Sequence, residues 1–178
     1  MKVGLSLCLF SFVSLLGWRP SAGSKKLPLG HCSVSVDIQK LRDEFSGIKA
    51  LIQSEDESMN IRILKRSESL QVTEPADRCC FLRHLFRLYL DRVFNHYKTH
   101  DSDILRKIST IANTFLGVKR DLRLCHDHST CHCGEEARGK FSRVLSHFEK
   151  LDAEAAAVKA LGELDILLSW MEDIEQPE

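Results

Sequence analysis

Seven residues packed into nine positions hold most of the side chains that could do chemistry: Cys125, His126, Asp127, His128, Cys131, His132 and Cys133. Thiolate and imidazole are the groups zinc prefers, so by residue type this is a metal-site composition. Two further thiols, Cys79 and Cys80, are adjacent in the chain. Neighbouring cysteines do not bridge each other without strain, so each needs a partner elsewhere. Where thiols are oxidised, the same residues build disulfides instead, and the compartment decides which chemistry applies.

The beginning of the chain indicates that compartment. Lys2 is followed by an apolar run at 3–16, too short to span a bilayer comfortably. Pro20 breaks the run, and Ser21-Ala22-Gly23 offers the small residues that a signal peptidase needs. The pattern predicts a secretory signal peptide at 1–23 and a single secreted domain at 24–178. Cleavage would remove Cys8 and leave six cysteines, Cys32, Cys79, Cys80, Cys125, Cys131 and Cys133. An even number in a secreted chain reads as three disulfides, with 15 possible pairings. Cys131 and Cys133 alternate in an extended segment, so one segment laid across Cys79 and Cys80 would bond both. That leaves Cys32 for Cys125. On this reading zinc has no thiolates left, the histidines are ordinary loop residues, and neither metal nor cofactor is expected.

The elements that must position these residues are helical. Asp77–Tyr97 is apolar on nearly every side, with polar residues confined to the line His84, Arg87, Asp91 and Asn95, which predicts a helix buried in a bundle. Three more seams flank it. They are Val34-Ile38-Leu41-Phe45-Ile48-Ile52, Ile104-Ile108-Ile111-Phe115-Val118-Leu122 and Ala137-Phe141-Val144-Phe148-Leu151. A last helix carries Ala157, Ala160, Leu161, Leu164, Leu167, Leu168 and Met171. Ser24–His31 reads as a loose lead, 61–72 as a long connection with one turn of helix, and 124–134 as a loop. No stretch reads as a strand, so the fold class is all-α, with at least five helices. Asp101 and Asp152 stand where N-caps are needed, and Pro75 where a helix starts.

Charge and motifs narrow the function. Twenty-five basic residues balance 25 acidic ones, which excludes a broad nucleic-acid footprint. The balance is uneven, basic over 78–123 and acidic over 149–178, as suits a selective protein partner or an ordinary solvated bundle. GxSxG, HExxH, P-loop and GxGxxG patterns are all missing. Asp127 beside His128 has no nucleophile in a fitting context, His147 reads as a packed or surface residue, and Trp170 reads as core. No enzyme is expected. Arg62, Lys65 and Arg66 in the long connection suit an acidic protein surface or heparan sulfate, and equally a solvated loop. A secreted helical carrier of lipids or small ligands is a second reading, although such carriers usually lock two hairpins and lack an adjacent cysteine pair.

RCCFLRHLFRLYLDRVF, LRKISTIANTFL, DLRLCHDHSTCHCGEEA, LSHFEKL and AAAVKALGELDILLSWME together closely resemble helical cytokines of the interleukin-10 family. The resemblance runs over essentially the whole chain and departs nowhere in its cysteines. It implies a compact bundle of six to seven helices, with Cys32 paired to Cys125, Cys79 to Cys131 and Cys80 to Cys133. It also implies a monomeric secreted ligand that joins two class II cytokine receptor chains and activates JAK–STAT signalling in epithelial cells. The implied partners are the interleukin-20 receptor beta chain with either the interleukin-20 receptor alpha chain or the interleukin-22 receptor alpha-1 chain. By family topology, one receptor face uses the first helix, the connection and the last helix. Its candidates are Arg62, Lys65 and Arg66, with Glu163, Asp165 and Glu172 expected to be exposed acids. The other face uses the first and buried helices, at exposed positions such as Lys40, Asp43 and Arg83.

Overall fold

The computed structural model describes residues 23–174. Of the expected signal peptide at 1–23, residues 1–22 lie outside the described residues.

The chain enters the fold through a hairpin that the periodicity did not announce. Strand β1, Ser24–Leu29, pairs antiparallel with β2, Cys32–Asp37, in a register running from Ser24 opposite Asp37 to Leu29 opposite Cys32. The lead expected to be loose is therefore a strand. In β2 the alternation is plain, with Cys32, Val34 and Val36 buried and Ser33 and Ser35 exposed. Val34 lies four residues before Ile38, a spacing that also fits a helix, and this hid the strand. Gly30 closes the turn at φ 71°, and a Cβ there would sit 2.8 Å from the Pro75 carbonyl oxygen. The hairpin thus lies against the start of the buried helix.

Asp37 ends the hairpin and caps helix α1, Ile38–Ser46, its Oδ1 accepting from the Lys40 amide at 3.0 Å. The chain breaks at Gly47–Ile48 and continues as α2, Lys49–Glu55. Ile38, Leu41, Phe45, Ile48 and Ile52 all stay buried across the break. The connection at 56–74 follows, with one 3-10 turn at Arg66–Glu68.

Helix α3, Pro75–Leu88, is the buried centre, and it is not one regular helix. At Tyr89–Val93 it widens into a π turn before a last helical turn at Phe94–His96. From the wide turn the fully buried Tyr89 hydroxyl donates to the Ala160 carbonyl at 2.7 Å. Phe115 packs between Phe86 (4.2 Å between ring centroids), Phe94 (5.5 Å) and Tyr89 (5.8 Å).

Helix α4, Ser102–Asp127, is capped by Asp101, which accepts from the Asp103 and Ile104 amides at 2.8 and 3.2 Å. It continues through Leu124–Asp127, so the expected loop begins only at His128. After the loop come α5, Glu135–Phe148, α6, Ala153–Gly162, and α7, Leu164–Glu172. Asp152 caps α6 through the Glu154 and Ala155 amides. The last helix, expected to be continuous, breaks at Glu163. Counting 75–96 as one stretch, the described residues form seven helices and one hairpin. None of those helices is long and apolar enough to cross a membrane.

Candidate functional site

Every one of the six cysteines is bonded. Cys32 is joined to Cys125, Cys79 to Cys131 and Cys80 to Cys133. The loop at 128–134 therefore lies across the start of α3, tied to two consecutive residues of that helix. Buried carboxylate chemistry reinforces the bonds. Asp77, 6% exposed, accepts from the Gly134 amide at 3.1 Å and the Ala137 amide at 3.0 Å, and so caps α5 from another helix. A Cβ on Gly134 would meet Asp77 Oδ1 at 2.5 Å, so only glycine allows that approach. In return Glu136, in the first turn of α5, accepts from the Glu74 amide at the start of α3. His126, His128 and His132 stay exposed on this loop and the end of α4.

The connection at 56–74 is held by charge. Glu163 is 7% exposed, not the surface acid expected from its type. Its carboxylate accepts from the Ile63 amide at 3.1 and 3.2 Å and from the Leu64 amide at 2.8 Å. Burial raises its pKa, and these two amides, with Lys159 and Arg62, only partly offset that rise. Lys159 pairs with Asp56 at 2.8 Å, both side chains largely buried. Lys140 donates to the Val72 carbonyl and Thr73 Oγ1, each at 2.9 Å, and pairs with Glu136 at 3.0 Å. Arg78 donates to the Leu70, Gln71 and Thr73 carbonyls. Arg143 reaches Glu68 at 2.9 Å. Burial alone would raise the Glu68 pKa, but hydrogen bonds from Ser67 and Arg143 outweigh it and hold the group below the usual carboxylate value. Five side chains, from three helices and the break at Glu163, thus fasten a segment that has little secondary structure of its own: Glu163, Lys140 and Arg78 on its backbone, Lys159 and Arg143 on its carboxylates.

Held this way, the connection turns its cations outward. Arg62, Lys65 and Arg66 are exposed and, among the described residues, make no ion pair. Arg62 and Arg66 line a groove of about 380 Å³ together with Asp165, Ile166, Gln71 and Trp170. Asp165 pairs with Lys49 of α2 at 2.7 Å, and Glu172 with Arg42 of α1. α1, the connection and α7 therefore share one face, which brings together Arg62, Arg66, Asp165 and Glu172 and withdraws Glu163 from it. Lys65 is exposed but does not line this groove. Trp170, read as core, is 5% exposed and presents an edge to the groove. Ile166 and Gln71 were not foreseen, because neither type nor spacing marks them.

The remaining candidates are divided. Lys40 and Asp43 are exposed on α1, with Gln39 donating to Asp43 at 2.8 Å. Arg83 is half-buried on α3, so the expectation that it is exposed is corrected. α1 packs on α4 and α7, and α3 on α5, α4 and β1. These three residues therefore stand on two helices that both pack on α4 and β1.

The interleukin 10 family profile matches residues 9–175 of the chain. Mouse interleukin-20 is 54% identical over 171 residues, covering 96% of this chain and 97% of that protein. Human interleukin-19 is 40% identical over 143 residues, covering 80% and 81%. The crystal structure of human interleukin-19 superposes with a TM-score of 0.72 at 38% identity, covering 79% of this chain and 90% of that one.

Proposed function

The chain belongs to the interleukin-10 family, and from that premise we propose that this cytokine is a secreted ligand joining two class II cytokine receptor chains. Its similar proteins are interleukins, which signal by binding and not by turning over a substrate, so the chain is no enzyme. The receptor pair proposed is the interleukin-20 receptor beta chain with either the interleukin-20 receptor alpha chain or the interleukin-22 receptor alpha-1 chain. The 54% identity to mouse interleukin-20 supports that pair over others. JAK–STAT activation in epithelial cells such as keratinocytes is the proposed output. The physical act is to hold two receptors at a fixed separation, and three bridges keep a monomer rigid enough to do so.

The observation that carries this reading is the shared face of α1, the connection and α7. There Arg62 and Arg66 are exposed and, like the neighbouring Lys65, stand in no ion pair among the described residues. Such cations steer and select an acidic partner surface. Heparan sulfate is the secondary ligand proposed for the same cations. Lys40, Asp43 and Arg83 are assigned to the second receptor chain.

The test is binding of the oxidised chain to isolated receptor ectodomains, with STAT phosphorylation read in cells that carry either pair. Charge reversal at Arg62, Lys65 and Arg66 should weaken binding of one receptor chain and leave the other intact. Unchanged binding of both chains by a folded triple variant would remove this face from the proposal.

A further inference from the structure

The cysteines of the cluster that looked like a metal site in the sequence are all bonded in the oxidised fold, yet the fold brings one of them, Cys133, against a different pair of ligand types on α3. Cys80 and His84 stand four residues apart on α3, hence one above the other on one face. Cys133 comes to them from the loop at 128–134. The ligating atoms of all three lie within 4.8 Å of one another, and His84 Nε2 is 3.7 Å from Cys133 Sγ. Zinc binds sulfur at about 2.3 Å and imidazole nitrogen at about 2.0–2.1 Å, so a tetrahedral site sets N and S roughly 3.6 Å apart. The imidazole already stands at that separation. Its ring is fixed by stacking on Phe141, with centroids 4.8 Å apart and planes 21° apart. The Cα atoms of Cys80 and Cys133 are 5.1 Å apart, so two thiolates at about 3.8 Å need only side-chain rotation.

We propose that, once the Cys80–Cys133 bridge is reduced, Cys80, His84 and Cys133 form a zinc site that clamps the loop to α3 in place of the bond. A disulfide sulfur carries no charge to offer a metal, so the oxidised form has no such site; thiolate is the ligand. The reductant required is a dithiol. One of its sulfurs attacks the half-exposed Cys133, forming a mixed disulfide and expelling the Cys80 thiolate. Its second sulfur then resolves the mixed disulfide, leaves as the oxidised dithiol and frees the Cys133 thiolate. Two electrons pass to the protein, and the two thiol protons go to solvent as zinc takes the thiolates. The neighbouring Cys79–Cys131 bridge is buried at both residues, which shields it from the same attack. The fourth position falls to water or to His132, which is exposed beside Cys133. Zinc bound this way would hold the fold where the disulfide is lost, independently of any receptor.

The experiment uses the secreted, oxidised chain, reduced with a small dithiol under argon, freed of reductant and titrated with cobalt(II) and then zinc. One cobalt per chain, showing tetrahedral thiolate bands that zinc abolishes, is the expected result. His84→Ala should weaken cobalt binding at least roughly tenfold. A Cys79→Ser/Cys131→Ser variant should keep the site, and Cys80→Ser/Cys133→Ser should lose it. If reduction removes the near-ultraviolet circular dichroism of the fold, zinc should restore it. The proposal is overturned by equal affinity in the His84→Ala variant, by absence of thiolate bands, by a site that follows Cys79 and Cys131 instead, or by a lost fold that zinc does not restore.

Discussion

The connection at 56–74 and the loop at 128–134 are both irregular backbone laid over the same helices, yet one is fastened by charge and the other by covalent bonds. The loop needs two sulfur bridges and the Asp77 carboxylate. Its bonds act largely on the unfolded chain, by removing conformations it would otherwise have. The connection is fastened in the folded state alone. Glu163, Lys159, Lys140, Arg78 and Arg143 each meet a backbone or side-chain group of the connection, and each is desolvated to some degree to do so. Charge straps of this kind reach through a segment from the inside. They leave its outer side, with Arg62, Lys65 and Arg66, free to meet another molecule.

This contrast can be broken from either end. The largest effect should come from the loop. Removing both bridges that tie the loop, Cys79→Ser/Cys131→Ser together with Cys80→Ser/Cys133→Ser, opens a closed segment of 52 to 53 residues, and chain entropy puts the loss at about 4 kcal/mol. Denaturant unfolding measures it, and a loss below about 1 kcal/mol would mean that Asp77 suffices. Next is Glu163→Ala, which strands two buried amides, at a cost of about 3 kcal/mol. Amide hydrogen exchange at Ile63 and Leu64 should then accelerate, while exchange in the 128–134 loop should not change. Lys159→Met leaves the Asp56 carboxylate largely buried without its partner, for about 2–3 kcal/mol.

Acid and base should separate two of the connection's own straps as well. The Glu163 carboxyl has a folded-state pKa raised above the ordinary 4.5, so its stabilising contribution is complete below 4.5. That contribution disappears as pH rises through the folded value. Glu68 is shifted the other way, below 4.5, so its contribution is present above 4.5 and disappears as pH falls through its folded value. Stability profiles of Glu163→Gln and Glu68→Gln should therefore each lose one of these two slopes. Wild-type slopes surviving in both variants would show that the connection is not held by these carboxylates. The smallest effect belongs to the exposed pair of Arg87 on α3 and Asp91 in the π turn, where Asp91→Asn should change stability by less than about 0.5 kcal/mol.

The seams were legible wherever packing follows chain period. Ile104, Ile108, Ile111, Phe115, Val118 and Leu122 repeat at three and four, and all six are buried. The caps at Asp101 and Asp152 were legible because a cap acts on amides two or three residues away. The hairpin was missed because two six-residue strands offer little periodicity, and Val34 also fits the helical seam that follows. The Tyr89–Val93 π turn and the break at Glu163 were missed for a different reason. Each accompanies a polar contact with a distant segment, Tyr89 to the Ala160 carbonyl and Glu163 to the amides of Ile63 and Leu64. Of the candidate face, the exposed cations could be named from type and context, while Ile166 and Gln71 could not.

By itself the sequence determined the helical class, the even set of six cysteines and the family, since these rest on local period, on counting and on motifs quoted residue by residue. Tertiary structure alone decided that Glu163 is a buried strap and not a surface acid, that Asp77 caps a helix other than its own, and that His84 stands beside Cys133. A charged side chain is placed by whichever backbone groups lie unsatisfied within its reach, and here those groups belong to segments 57 to 100 residues away along the chain.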